Sequence, residues 1–95
     1  IEIKTTFQSR FGPQEWLKPY TDKTLESLPK QGIKNLLIIC PGFASDCVET
    51  LEEINMAGRE SFIKSGGKNF DLIPCLNDSS QHIDLLQHLL KRYIY

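Results

Sequence analysis

The feature that most constrains the fold is an apolar run without polar alternation, Asn35 to Cys40, which reads Asn-Leu-Leu-Ile-Ile-Cys. Such a run is typical of a strand buried on both faces of a parallel sheet, because a strand with one solvent face alternates apolar and polar residues. A Pro41-Gly42 turn follows it directly. Since parallel strands need a long crossover connection, usually a helix, this segment predicts an α/β arrangement.

The rest of the chain alternates between strand and helix patterns. Ile1 to Phe7 alternates apolar and polar residues with a period of two, and Phe70 to Cys75 has the composition of another strand. Helical spacing occurs over three stretches: Thr21 or Asp22 to Leu28, Asp46 to Lys64, and Ser80 to Ile94. The order predicts an α/β fold, a parallel sheet flanked by helices in βαβαβα order, as one domain over residues 1–95.

Composition narrows the class of protein. The 95 residues hold 11 basic and 12 acidic side chains, for a net charge of −1, so no basic excess indicates a nucleic-acid partner. The apolar run is too short to cross a bilayer, and the first residues lack the apolar core of a signal peptide. We expect a cytoplasmic protein and, since the initiator Met is missing, a fragment of a longer chain.

The cysteines and histidines give little sign of a structural metal. Cys40, Cys47 and Cys75 are widely spaced and form no Cys-x-x-Cys pair, so reduced thiols are expected, with no zinc or iron–sulfur site. His82 and His88 lie six residues apart on the last predicted helix. That spacing places them on different faces, so we do not expect them to share a metal ion.

In parallel α/β sheets, ligands bind beyond the carboxyl ends of the strands. At about 100° per residue, four acids of the second helix fall on one side: Asp46, Glu49, Glu53 and Glu60. The opposite side holds Cys47, Leu51, Ile54, Gly58 and Phe62. The acids form either an ordinary solvated face, with Asp46 and Glu49 as a capping pair, or a column that binds hard divalent cations and accepts protons.

Trp16 lies in a Gly/Pro-punctuated loop beside the expected cleft. A large aromatic residue in such a loop either anchors the loop to the core or forms a wall for a flat apolar ligand. The sequence alone leaves both interpretations open.

Two long motifs resemble the ferrochelatase family. Residues 7–22, Phe-Gln-Ser-Arg-Phe-Gly-Pro-Gln-Glu-Trp-Leu-Lys-Pro-Tyr-Thr-Asp, are similar to its aromatic-Gln-Ser segment, Pro/Gly loop and Trp-Leu pair. Residues 40–53, Cys-Pro-Gly-Phe-Ala-Ser-Asp-Cys-Val-Glu-Thr-Leu-Glu-Glu, resemble the signature around its catalytic acid. Leu76-Asn77 and the closing helix also fit, so the resemblance covers nearly the whole chain and corresponds to the C-terminal lobe of a bacterial-type enzyme.

The resemblance implies the insertion of ferrous iron into protoporphyrin IX to form protohaem. It assigns Glu49 the central role, facing the porphyrin centre, binding iron and removing pyrrole protons. Asp46 and Glu53 match acids proposed to relay metal or protons. Trp16 and Phe11 match positions that line the porphyrin.

Some positions depart from the family pattern. Ala57 stands where a further acid is usual, which questions a fixed four-carboxylate relay, and Cys47 stands where some relatives have His. Cys47 falls on the buried side of the helical wheel and is assigned no chemistry. No permanently bound cofactor and no iron–sulfur cluster are expected in this segment, with iron acting as substrate.

The opposing catalytic histidine of the family lies upstream, in an N-terminal lobe, and neither His82 nor His88 matches it. The isolated chain is therefore expected to be inactive and to self-associate. Two alternatives stay open: a non-catalytic metal- or tetrapyrrole-binding α/β module, and an α/β interaction domain.

Overall fold

Helices and strands alternate along the protein in a computed structural model, which describes residues 2–9 and 12–94. The elements are α1 (Thr21–Ser27), a 3₁₀ turn (Pro29–Gln31), β1 (Asn35–Ile38), a π-helix (Glu49–Gly58), α2 (Arg59–Lys64), β2 (Asn69–Leu72) and α3 (Ser80–Ile94). Helices and a parallel pair of strands confirm the predicted α/β class.

The predicted first strand is reduced to a single contact in the described residues. Residues 2–6 form no strand there, and Phe7 makes one isolated parallel bridge to Tyr20. The Phe7 amide donates to the Pro19 carbonyl at 2.9 Å, and the Thr21 amide donates to the Phe7 carbonyl at 3.0 Å. A segment of alternating apolar and polar residues forms a strand only where a neighbouring strand pairs with its backbone hydrogen-bonding groups. Here a loop lies beside the segment instead of a strand.

The sheet pairs β1 with β2 in parallel, with Asn35 opposite Asn69 and Ile38 opposite Leu72. Leu36 and Ile38 face the core, whereas Leu37 is 65% exposed and Ile39, just beyond β1, is 63% exposed. The prediction that the apolar run is buried on both faces is therefore wrong for the described chain. One face packs on helices, and the other stays open to solvent.

The core lies between that covered sheet face and the helices. It consists of the buried side chains of Leu25, Leu28, Cys40, Ile54, Phe62 and Phe70. The rings of Phe62 and Phe70 are tilted, with their centroids 5.9 Å apart. Gly67 permits this packing, because a Cβ there would lie 2.2 Å from Cε1 of Phe62. The turn after α2 therefore needs glycine for a close approach to the core.

The first helix forms as predicted. It begins at Thr21 and buries Leu25, while Leu28 is buried just after its end. Pro29 opens the 3₁₀ turn and Gly32 ends it. Proline interrupts the α-helical ladder because it lacks an amide hydrogen, so the chain leaves the helix at the expected position.

The second helix ends at Lys64 as predicted but begins at Glu49 instead of Asp46, and its first ten-residue stretch, Glu49–Gly58, is a π-helix. Its hydrogen bonds span five residues, so the helix turns less per residue than an α-helix. Buried positions consequently recur every four residues: Thr50, Ile54, Gly58 and Phe62. The 100° wheel wrongly placed Leu51 on the buried side, where it is half exposed, and did not predict buried Thr50.

The last helix, α3, forms over the predicted Ser80–Ile94 and contains no buried residue. Its apolar residues follow helical spacing but are exposed: Ile83, Leu86, Leu89, Leu90 and Tyr93. Among the described residues, the length and hydropathy needed to cross a membrane occur in no helix.

Candidate active site at the carboxyl edge of the sheet

Asp46 joins the two loops that leave the carboxyl ends of β1 and β2. Its Oδ1 accepts from the Thr50 hydroxyl at 2.9 Å, and its Oδ2 accepts from the Asn77 side-chain amide at 2.8 Å and the Cys75 amide at 3.2 Å. The Asp46 amide donates back to Oδ1 of Asn77 at 2.8 Å. Asp46 therefore holds the start of the second helix against the segment after β2.

These hydrogen-bond donors also affect the pKa of the Asp46 carboxyl. The hydrogen bond from the Asn77 side chain is the largest cause that lowers this pKa below the usual range; desolvation comes next and opposes it, and the donors Cys75 and Thr50 add to the lowering. The same contact acts on the thiol of Cys75. Desolvation first, and then the hydrogen bond to Asp46, raise the pKa of Cys75 to about 11. Asp46 is thus an ionised carboxylate occupied by protein donors.

The predicted capping pair of Asp46 and Glu49 is replaced by another pairing. The Cys47 amide donates to the Thr50 hydroxyl oxygen at 2.9 Å, and that hydroxyl donates to Asp46. Thr50 therefore takes the capping position expected for Glu49. This leaves the Glu49 carboxylate available for other contacts.

Glu49 is half-buried at the start of the π-helix. Its pKa lies below the usual range, first because the Cys47 thiol hydrogen-bonds to its carboxylate and second because its own backbone amide does so, while desolvation opposes both. Cys47, to which the sequence assigned no chemistry, therefore contacts the Glu49 carboxylate. An ionised, partly accessible carboxylate can accept a proton or bind a hard cation.

Glu53 follows one turn later, and both of its oxygens are hydrogen-bonded. Oε1 accepts from the Ser9 amide and Oε2 from the Ser9 hydroxyl, each at 2.8 Å. Glu60, the fourth acid of the predicted stripe, is exposed and pairs with Lys64 at 3.1 Å. The structure therefore places Asp46 just before the helix, Glu49 at its start and Glu53 against the loop that carries Ser9, and leaves Glu60 in solvent.

Trp16 is half-buried beside Glu53. Its indole Nε1 donates to the Gln8 carbonyl at 2.9 Å, which anchors the loop. Trp16 and Glu53 line a cavity of about 330 Å³ that also reaches Ala57, but Glu49 does not line it. Phe11, the other predicted porphyrin contact, lies outside the described residues.

Sequence reasoning assigned no role to four residues that organise this site: Gln8, Ser9, Thr50 and Asn77. All four lie within the segments that carry the family resemblance, so their motif positions were the available signal. Thr50 lies four residues after Asp46, a spacing at which a hydroxyl can reach a helix-starting carboxylate.

The histidines and cysteines among the described residues do not form a group that could coordinate a metal ion. His82 Nδ1 contacts the Asn77 carbonyl, and the Cys40 thiol donates to Oε1 of Gln8 at 3.6 Å. Within residues 2–9 and 12–94, no three His, Cys, Asp or Glu side chains are grouped to hold a metal ion. The candidate site is therefore an acidic helix face bordered by a loop.

The fold and this site define an α/β domain with partly accessible carboxylates on a helix at the carboxyl edge of a parallel sheet. The ferrochelatase family model matches residues 1–94. The chain therefore belongs to the ferrochelatase family, and the resemblance read from the sequence is confirmed.

Individual relatives agree with this assignment. The chain is 56% identical over 93 residues to a ferrochelatase of Yersinia enterocolitica, and the aligned region covers 98% of this chain and 29% of that protein. It is 58% identical over 89 residues to a ferrochelatase of Vibrio vulnificus strain YJ016, covering 94% of this chain and 28% of the relative. A Marinobacter nauticus ferrochelatase is 58% identical over 90 residues, covering 95% of this chain and 24% of the relative. The chain thus spans less than a third of the curated relatives it matches.

Proposed function

We propose that this chain is the C-terminal lobe of a ferrochelatase that inserts ferrous iron into protoporphyrin IX to form protohaem. The observation that carries the proposal is Glu49, an ionised and partly accessible carboxylate at the carboxyl edge of the sheet, within a motif of the family. Carboxylate oxygens suit a hard divalent cation, and an ionised carboxylate can receive a proton.

Metal insertion exchanges two pyrrole N–H protons for one Fe²⁺ ion, so the site must accept protons and strip water from the metal. Glu49 takes the pyrrole protons in turn and passes them to solvent, and it contacts the incoming iron. Its depressed pKa keeps it ionised at neutral pH, so it is ready to accept. Transfer back to solvent is fast for the same reason, since a weak base releases its proton readily.

Asp46 and Glu53 are the further acids of the proposed catalytic set. Asp46 holds the loops that frame Glu49, through its bonds to Asn77 and Thr50. Glu53 lines the cavity beside Trp16 and lies one helical turn from Glu49, and its proposed role is to pass metal or protons toward Glu49. With Ala57 at the next turn, this route has three carboxylates instead of four.

Trp16 supplies one wall of the porphyrin site, with Phe11 as its companion. The indole N–H is engaged by the Gln8 carbonyl, so the ring is fixed in the loop and its face can pack on a flat macrocycle. A rigid aromatic wall also helps to distort the macrocycle toward the geometry that accepts the metal.

The proposed partners of this chain follow from the roles that its own residues are assigned. An N-terminal lobe of the same enzyme supplies the opposing histidine and the second porphyrin wall. The enzyme works in the cytoplasm or at the inner membrane surface, with iron as substrate, no resident cofactor and no iron–sulfur cluster in this segment.

The test is an anaerobic insertion assay with the full-length protein, protoporphyrin IX and ferrous iron, followed by the change in porphyrin absorbance. We expect haem formation by the full-length protein and none by the 95-residue chain alone. A full-length protein that binds metal or porphyrin but forms no haem would support a non-catalytic binding module instead. Insertion by the isolated chain would contradict the two-lobe arrangement.

A further inference from the structure

A two-residue segment, Gln8–Ser9, connects four parts of the candidate site. The Gln8 side-chain Nε2 donates to the main-chain carbonyl of Glu49 at 2.8 Å and to the Ser9 hydroxyl at 3.3 Å. Its Oε1 accepts from the Cys40 thiol, and its carbonyl accepts from Trp16. One glutamine therefore contacts the end of the β1 segment, the first turn of the π-helix and the aromatic wall.

Ser9 hydrogen-bonds to both carboxylate oxygens of Glu53, a further acid of the helix. Its amide and its hydroxyl each donate to a different oxygen of Glu53, both at 2.8 Å. Hydrogen bonds to an ionised acceptor are stronger than neutral ones, and a pair of them fixes the rotation of the carboxylate as well as its position. Ser9 reaches Glu53 with a φ of +60°, in the left-handed region that costs energy for residues other than glycine.

We infer that Gln8 and Ser9 are positioning residues, which fix the Glu53 carboxylate and the π-helix turn that carries Glu49 relative to the Trp16 wall. The catalytic consequence of this inference rests on the proposed function. Neither residue needs to touch iron or porphyrin for this role. Their effect comes from geometry, because acids displaced by about an ångström from the reacting atoms lose much of their rate advantage.

The first test measures the contact itself and needs no activity. Amide hydrogen exchange at Ser9 is compared in the full-length wild-type protein and in Glu53→Ala, with Glu53→Gln as a second variant. We expect Ser9 to exchange at least about tenfold faster once its carboxylate partner is removed. The matched control is the Thr21 amide, which donates to the Phe7 carbonyl in the same region and should not change. Unchanged exchange at Ser9 in both variants would overturn the inference.

The second test measures turnover in the full-length enzyme. Ser9→Gly deletes the hydroxyl, keeps the amide and accommodates the positive φ, so relief of the backbone strain offsets the lost hydrogen bond and the melting temperature should change little. We expect kcat for iron insertion to fall about tenfold while KM for porphyrin changes less than about twofold. A residue that only stabilised the fold would not lower kcat without also lowering the melting temperature.

Gln8→Glu provides an isosteric companion to this variant. It removes the N–H donors and keeps an acceptor for Cys40, so kcat should fall by at least about tenfold. Gln14→Glu, an exposed change in the same loop, serves as the control with wild-type kcat. Wild-type kcat in both Ser9→Gly and Gln8→Glu would overturn the inference. An inactive wild type would contradict the proposed function instead, and hydrogen exchange at Ser9 would still decide whether the clamp exists.

Discussion

The second helix and α3 have similar sequence patterns and very different surroundings. Both are amphipathic and both form where helical spacing predicts them. The second helix buries Thr50, Ile54, Gly58 and Phe62 against the core, whereas α3 leaves all its apolar residues exposed. Periodicity therefore predicts that a helix forms and which side is apolar, but the partner that covers the apolar side is a property of the surrounding chain.

The same distinction applies to the two faces of the sheet. Leu36 and Ile38 pack on helices, while Leu37 and Ile39 on the other face are exposed. An apolar run without alternation indicates that both faces of the strand are buried in the complete protein. The open sheet face and α3 are thus the two places where the described chain has less burial than its sequence predicts.

The largest difference between the two regions should appear in stability. Phe62 is fully buried, so Phe62→Ala should lower the free energy of unfolding by about 3–5 kcal/mol. Leu90 in α3 is 55% exposed, and Leu90→Ala in the 95-residue chain should change it by less than about 0.5 kcal/mol. Urea unfolding of both variants gives the comparison. A cost for Leu90→Ala close to that of Phe62→Ala would mean that α3 is packed.

The exposed sheet face should make the isolated chain self-associate. Apolar patches and unpaired strand edges bind one another in water, so light scattering of the 95-residue chain should give a mass above that of a monomer. Leu37→Lys with Ile39→Lys should shift the mass toward the monomer. The control pair Leu86→Lys with Leu90→Lys separates the contribution of α3. A monomeric wild-type chain at high concentration would contradict this prediction.

Trp16 tests the loop side of the second helix. Trp16→Ala in the full-length enzyme should weaken porphyrin binding about tenfold or more and change the melting temperature little, since the ring is only half-buried. Trp16→Phe keeps an aromatic face but loses the bond to the Gln8 carbonyl, so it should recover most of the affinity. Porphyrin fluorescence titration measures both. A large drop in melting temperature with unchanged affinity would assign Trp16 to loop anchoring alone.

The smallest effect concerns pH and Asp46. Its folded pKa lies below the unfolded value of roughly 3.9, so its stabilising contribution is present above that value and is lost as the pH falls through the folded pKa. Between about pH 5 and pH 2, the melting temperature of the wild type should therefore fall more steeply than that of Asp46→Asn. Asp71→Asn, which changes an exposed side chain of β2, is the control that should follow the wild type. Parallel curves for wild type and Asp46→Asn would contradict the role of the Asn77, Cys75 and Thr50 donors.

Much of this molecule could be predicted from its sequence. The positions of α1 and α3, β1, and the convergence of Asp46 and Glu49 at the strand ends follow from periodicity, turn residues and the rules of parallel sheets. The π-helix could not be predicted from the sequence. Over ten residues, the change from hydrogen bonds that span four residues to hydrogen bonds that span five alters the spacing of apolar positions too little to be recognised. That change is why the 100° wheel placed the half-exposed Leu51 on the buried side and did not identify the buried Thr50.

Other parts of the site depend on contacts between residues distant in sequence. Ser9 reaches Glu53 across 44 positions, and Asn77 reaches Asp46 across 31. No local pattern encodes such a pair, although both polar partners stood in segments that resemble the family. The motif therefore located the residues, and the structure assigns their partners.

The central claim is that Glu49, and not merely an acidic helix, carries the chemistry of this lobe. The most direct measurement is the rate of iron insertion by full-length Glu49→Gln beside full-length Glu52→Gln, an exposed acid on the same helix. Glu49→Gln keeps the side-chain shape and loses the proton acceptor, so its turnover should fall at least about a hundredfold, while Glu52→Gln should stay close to the wild type. Near-wild-type turnover in Glu49→Gln, or an equal loss in both variants, would contradict the account.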